Sequence, residues 1–188
     1  MGKHSDVDND LPGAGTRGIE YSWDCFPKST LIETPSGKIP IGDLSEGEMV
    51  LSYKKGILVP RRITRKLVHE PAPLVNVTFE SDDVGMICTL GHSFMTDKGY
   101  QSIKKLSPGD SIMRISSSKA AHSCIKSIAP TGTTEPVFNL YTQGEHNFIA
   151  DGCVAHNFTH FRMLRVVMHD IYDSLCDLKN EGLRLKYL

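Results

Sequence analysis

Between Cys25 and Asn157 apolar and polar positions change in short bursts, punctuated by Pro and Gly, with no helical period running through them. The stretches TLIET (30–34), MVLSY (49–53), PLVNVTF (73–79), VGMICTL (84–90), SIMRI (111–115), PVFNLYT (136–142) and HNFIA (146–150) are rich in β-branched and aromatic residues. Such side chains suit a pleated, half-buried surface, so the text predicts a mainly β domain of several short strands. Residues 158–188 change period. Phe161, Leu164, Met168, Ile171, Leu175 and Leu178 fall three and four apart, which predicts an amphipathic C-terminal helix with Asn180 and Gly182 as stop signals. Its polar face mixes Asp, Lys, Arg and His, which suits docking on protein better than an anionic membrane. Residues 1–24 have no apolar period and carry two basic against five acidic side chains, the pattern of a flexible flank.

The β text repeats itself. Thr34, Gly37, Ile41, Leu44, Gly47, Glu48 and Val50 are matched by Thr96, Gly99, Ile103, Leu106, Gly109, Asp110 and Ile112, each pair 62 residues apart. The Gly positions suit turns, the Ile and Leu positions suit the core, and the acidic residue follows a bend before the next strand. A second echo, PLVNV at 73–77 against PVFNL at 136–140, is offset by 63. Seven aligned positions without a gap predict a duplication, two intertwined β halves related by a pseudo-two-fold axis.

Composition narrows the class. The 188 residues have 39% hydrophobic and 23% charged side chains, as a soluble globule does, and 21 Lys+Arg against 22 Asp+Glu give a net charge of −1. No basic excess points to nucleic acid and no apolar run is long enough to span a membrane, so neither partner is expected. The first residues lack the apolar segment of a secretory signal, and Asp6 breaks the myristoylation pattern, which leaves localisation open. The 5 cysteines are too few for a disulfide scaffold and form no CxxC pair, so no structural zinc, and no metal or cofactor, is expected. Three motifs are set aside. Gly13 to Gly18 spells a dinucleotide-binding pattern with neither strand nor helix around it. Asp6 to Asp10 starts like a calcium loop but lacks its Gly and terminal Glu. Asn76-Val-Thr78 and Asn157-Phe-Thr159 fit a short glycosylation pattern without a secretory context.

Chemistry-bearing residues gather at the edges of the repeats. Cys25 stands where the flank ends and the first β run begins; Thr89 and His92 form a Thr-x-x-His element near the start of the second repeat. His146 opens HNF, and His156-Asn157 closes the β text. One nucleophile, several imidazoles and a carboxamide at the ends of a duplicated fold are groups that topology can bring together.

CFPKSTLIETPSGKIPIGDLSEGEMVLSY, the TLGH element and VFNLYTQGEHNFIADGCVAHN together resemble the Hedgehog/intein (Hint) superfamily of self-processing domains over residues 25–157, 133 of 188. The His-Asn ending is closer to mini-inteins and bacterial intein-like domains than to Hedgehog proteins. The resemblance implies three segments: an N-terminal flank (1–24), a compact horseshoe-like Hint domain (25–157) and a C-terminal flank (158–188). It also implies that the Cys25 thiol attacks the Asp24 carbonyl, turning the Asp24–Cys25 amide into a thioester. His92 would protonate the departing amine and Thr89 would orient the amide. The Asn157 side chain would attack its own carbonyl, close a succinimide and expel the Phe158 amine, with His146 and His156 polarising and protonating. Two positions depart from the family. Asn139 stands where inteins often carry Asp, and Phe158 stands where splicing requires Ser, Thr or Cys. The resemblance therefore implies cleavage at both boundaries of its own polypeptide, with water, a thiol or an amine accepting the acyl group, in preference to splicing.

Two other classes fit parts of the sequence. A cysteine peptidase acting in trans would use Cys25 and His92, but such nucleophiles commonly sit at a helix N-terminus, and Pro27 followed by TLIET predicts a strand. A non-catalytic β module would bind a partner through the C-terminal helix. Cys88, Cys124 and Cys176 read as packing residues, and Cys153, three residues before His156, reads as a buried thiol that a meeting of the termini would bring near Cys25.

Overall fold

The computed structural model describes residues 24–116 and 119–156. The flank 1–23, the segment 158–188 with its expected helix, and Asn157 lie outside the described residues. Within them the chain is built from strands, with one short 3₁₀ turn at Ile103–Lys105.

Strands β1 (Phe26–Pro27), β2 (Leu31–Thr34), β3 (Gly37–Pro40), β4 (Met49–Lys54), β5 (Ile57–Phe79) and β6 (Asp82–Cys88) form the first part. Strands β7 (Ser93–Thr96), β8 (Gly99–Ser102), β9 (Ser111–Ser116), β10 (Lys119–Thr142), β11 (Asn147–Ala150) and β12 (Cys153–His156) follow. The main sheet path runs β3-β2-β11-β12-β9-β10-β5-β4, with β1 on β10, β6 on β5 and β7 on β12. First-half strands thus pair with second-half strands. β2 joins β11 through Ile32 and Ala150, and β1 joins β10.

The expected repeat holds down to single hydrogen bonds. Thr34 Oγ1 accepts the Ser36 N–H at 3.1 Å and donates to the Gly37 carbonyl at 2.7 Å; Thr96 Oγ1 does the same with Lys98 and Gly99 at the same distances. Gly37 and Gly99 have φ of 116° and 87°, a region that penalises a Cβ, which explains the glycine at both turns. The Glu48 carboxylate accepts the Ser45 N–H at 2.6 Å and the Asp110 carboxylate accepts the Ser107 N–H at 2.9 Å, so the repeated acidic residue closes a turn. Ile41, Leu44, Val50, Ile103 and Ile112 are buried in one core with Phe26, Phe94 and Phe148, and Leu106 packs against it. Each such side chain withdrawn from water contributes roughly 1.5–3 kcal/mol.

Strand lengths differ from the sequence reading. PLVNVTF and PVFNLYT are only the ends of β5 and β10, which have 23 and 24 residues. Straight strands of that length would span about 75 Å. Both strands change partners along their length, and their shared ladder breaks register at four places between Ile125 and Thr142. Such bulges bend a strand and let it serve two surfaces in turn. The start of β5 that pairs with β4, ILVPRR, carries Pro60, Arg61 and Arg62, which hide it from a search for apolar runs.

Candidate active site

Phe26 fixes the start of the fold. It is fully buried, with Phe94 and Phe148 meeting its ring edge-on at 6.0 and 5.9 Å, and it pairs with Phe138 of β10. That anchor holds the preceding peptide, Asp24–Cys25, between the loop at Thr89 and strand β10. Thr89 Oγ1 accepts the Cys25 N–H at 3.0 Å and lies 3.3 Å from the Cys25 carbonyl, which also accepts the Thr89 N–H at 3.0 Å. On the other side of the same peptide, Asn139 Nδ2 donates to the Asp24 carbonyl at 2.6 Å. The Asn139 Oδ1 accepts the Leu140 N–H at 2.8 Å, which orients the carboxamide so that its NH₂ group faces Asp24. The peptide is therefore held at both its N–H and its C=O.

The Cys25 side chain packs with Ala72, Leu74 and Val137. That apolar lining pushes the thiol up to about 12, and the Asp24 charge acts in the same direction. His92 is fully buried, its ring centroid 4.1 Å from Phe26 and 5.0 Å from Phe94, and neither ring nitrogen completes a hydrogen bond. Burial lowers it to about 3; the Asp24 backbone opposes that shift and the charge of His156 adds to it. His92 is neutral at pH 7, because the aromatic box that positions it also strips its water.

The other end of the domain arrives at the same place. β12 pairs with β7 through Ala155 and Phe94, two residues beyond His92, and its last residue, His156, bears electrostatically on His92. The His156 ring lies 4.3 Å from Tyr100. Thus Asp24, Cys25, Thr89, His92 and His156 share one region. His146 is on the exposed turn before β11, with φ of 53°, next to the Asn147 that pairs with His156, and the preceding Glu145 is held by Arg61 and by Lys54 at 2.8 Å. Asn157 and Phe158 lie outside the described residues. The sequence marks Asn139 only as a departure from the family pattern and marks Tyr100 and Asn147 not at all. The repeated Asn of PLVNV and PVFNL was the available signal for Asn139, whereas nothing local marks a tyrosine that stacks on a histidine 56 positions away.

The remaining cysteines also change. Cys124 is exposed, which corrects its reading as a packing residue: the burial alternation of β10 turns it outward while Ile125 faces the core. Cys153 is buried, and its charge bears on Cys88. Cys176 lies outside the described residues. The sequon residue Asn76 is half-buried within β5, with its side-chain oxygen turned inward. Among the described residues, no group of three or more His, Cys, Asp or Glu gathers as a metal site would require.

No protein-family model and no curated protein matches the sequence. The structure matches those of known proteins. The DnaB intein from Synechocystis sp. PCC 6803 superposes with a TM-score of 0.66 at 23% identity, over 72% of this chain and 99% of that one. The bacterial intein-like domain from Clostridium thermocellum gives 0.62 at 20% identity, over 72% and 100%. The DnaX mini intein from Spirulina platensis gives 0.61 at 24% identity, over 71% and 99%. The chain has the mainly β Hint fold of inteins.

Proposed function

We propose that the chain is a self-processing domain spanning residues 25–157 that cleaves its own polypeptide at Asp24–Cys25 and at Asn157–Phe158, releasing flanks 1–24 and 158–188. The observation that carries the reading is the Asp24–Cys25 peptide held between the Thr89 hydroxyl and the Asn139 carboxamide, with His92 buried beside it. Cys25 Sγ attacks the Asp24 carbonyl carbon. As the C–S bond forms and the C–N bond breaks, the thiol proton passes to the Cys25 nitrogen, which leaves as a free amine. With the thiol at about 12 and the imidazole at about 3, a resting thiolate–imidazolium pair lies about nine pH units uphill, on the order of 10 kcal/mol. His92 therefore serves as a relay, taking the proton only as sulfur bonds to carbon and passing it to nitrogen. Asn139 supports the oxygen as it gains charge. Water, a thiol or an amine then takes the acyl group.

At the other boundary the Asn157 side-chain nitrogen attacks its own carbonyl carbon, closing a succinimide and expelling Phe158 as an amine. His156 and His146 supply the polarisation and the proton. Phe158 has no nucleophile to capture the thioester, so the two cuts are independent and splicing is not the outcome. A peptidase acting in trans is disfavoured by the burial of Cys25 and its place before a strand. The test is intact-mass analysis of the full chain fused to a tag protein at each end. Wild type should release both tags. Cys25→Ala should lose only the first product and Asn157→Ala only the second. An intact wild-type fusion, freshly folded and treated with thiol, overturns the reading.

A further inference from the structure

We propose that Tyr100 and Asn147 are positioning residues for the cut at Asn157–Phe158, acting by fixing the ring of His156 between the two halves of the fold; this rests on the self-processing reading above. β11 and β12 are antiparallel with Asn147 directly opposite His156, so both side chains leave the same face of the ladder. Asn147 is buried and locked. Its Oδ1 accepts the Tyr53 N–H at 2.7 Å, and its Nδ2 donates to the Tyr53 carbonyl at 3.0 Å and the Glu145 carbonyl at 3.4 Å. Its own carbonyl accepts from Ser52 Oγ at 2.5 Å and Thr142 Oγ1 at 3.3 Å. A side chain with that many partners on β4 has no rotamer freedom left, so the neighbour opposite it meets a fixed wall.

Tyr100 supplies the other wall. It comes from β8 of the second repeat and sets its ring 4.3 Å from the His156 ring at 46°. Its hydroxyl is buried without a geometrically complete hydrogen bond. Burial raises the Tyr100 phenol, and the Asn147 carboxamide opposes that shift, which puts the three side chains in mutual reach. Asn147 thus spans β4 of one repeat and the strand ladder ending at His156, while Tyr100 closes the remaining side. A proton-transferring imidazole placed a single ångström off can lose about 100-fold in rate.

The test uses the full chain with both flanks and follows the two cuts separately in each sample. In Tyr100→Ala and Asn147→Ala the C-terminal cut should slow at least about tenfold and its pH midpoint should move, while thiol-induced release at Cys25 stays near wild type and certifies the fold. Tyr100→Phe, which keeps the ring, should restore the C-terminal rate and midpoint. Wild type that cleaves while Tyr100→Ala and Asn147→Ala cleave equally fast with an unchanged midpoint overturns this inference alone. Equal slowing of both cuts also overturns it, since that reports a general loss of folding. A wild-type chain that never breaks Asn157–Phe158 overturns the self-processing reading of that boundary together with it.

Discussion

Replacing Asn139 tests how the Asp24 carbonyl is activated. Its Nδ2 sits 2.6 Å from the Asp24 oxygen at a site that is 7% exposed, so water cannot substitute freely for the lost donor. One preorganised donor aimed at a developing oxyanion is worth about 2.7–4 kcal/mol, or about 100- to 1,000-fold in rate. Asn139→Ala should slow release of residues 1–24 by that factor. It also strands the Leu140 N–H, at a cost of about 1–3 kcal/mol in stability. Asn139→Asp keeps the shape and the acceptor for Leu140 but replaces the NH₂ by oxygen. Ionised, it sets negative charge against the carbonyl oxygen; protonated, it donates again. Its N-terminal step should therefore accelerate as pH falls, a limb absent from wild type. The assay is release of the N-terminal tag by hydroxylamine, timed by mass between about pH 5 and about pH 8. Both variants folding and releasing the tag at the wild-type rate across that range would refute the role of Asn139.

Acid should destabilise the domain through two groups that titrate over different ranges. His92 binds its proton near 6.5 when unfolded and near about 3 when folded, so the unfolded state takes up more protons and stability falls as pH drops from about 6.5 toward 3. Denaturant titrations of His92→Leu should lack that slope. Glu145 is lowered from 4.5 to about 2, chiefly by its hydrogen bond from Arg61; its contribution is present above about 4.5 and lost as pH falls toward 2, and Glu145→Gln should remove it. Brief alkylation of the Asn157→Ala, tag-free domain should label Cys124 first among the described cysteines and leave Cys25, Cys88 and Cys153 protected; rapid labelling of Cys25 would contradict its burial.

The duplicated turns were legible because each depends on a few local residues. A Thr that bonds its own hairpin, a Gly at positive φ and an acidic cap leave the same trace wherever they recur, as at Thr34 and Thr96. Cys25, Thr89 and His92 were legible as chemical types at repeat edges. The long strands were not, because their middles run as exposed two-stranded ribbon, where charge is tolerated and no apolar period is imposed, as at Arg65 and Glu70. Nor could the sequence reveal that His92 is desolvated. The low value follows from Phe26 and Phe94 closing on the ring, contacts that exist only once the halves have interlocked.

The repeat also gives the corner at Asp24–Cys25 a counterpart furnished with other side chains. Thr30 donates its N–H to no hydroxyl but to the Pro27 carbonyl, as His92 does to Thr89, and both residues accept from the next turn, at Ile41 and Ile103. Cys88 meets Val75 as Phe26 meets Phe138, and Asn76 occupies the repeat position of Asn139. That second corner holds the Met86–Ile87 peptide where the first holds Asp24–Cys25, but it offers a side chain without a nucleophile, Pro27 in place of Thr89 and Thr30 in place of His92. Its peptide also lies inside strand β6, with chain of the domain on both sides of it. The fold carries the frame twice, and only the copy at Asp24–Cys25 is furnished with a thiol, a hydroxyl and an imidazole.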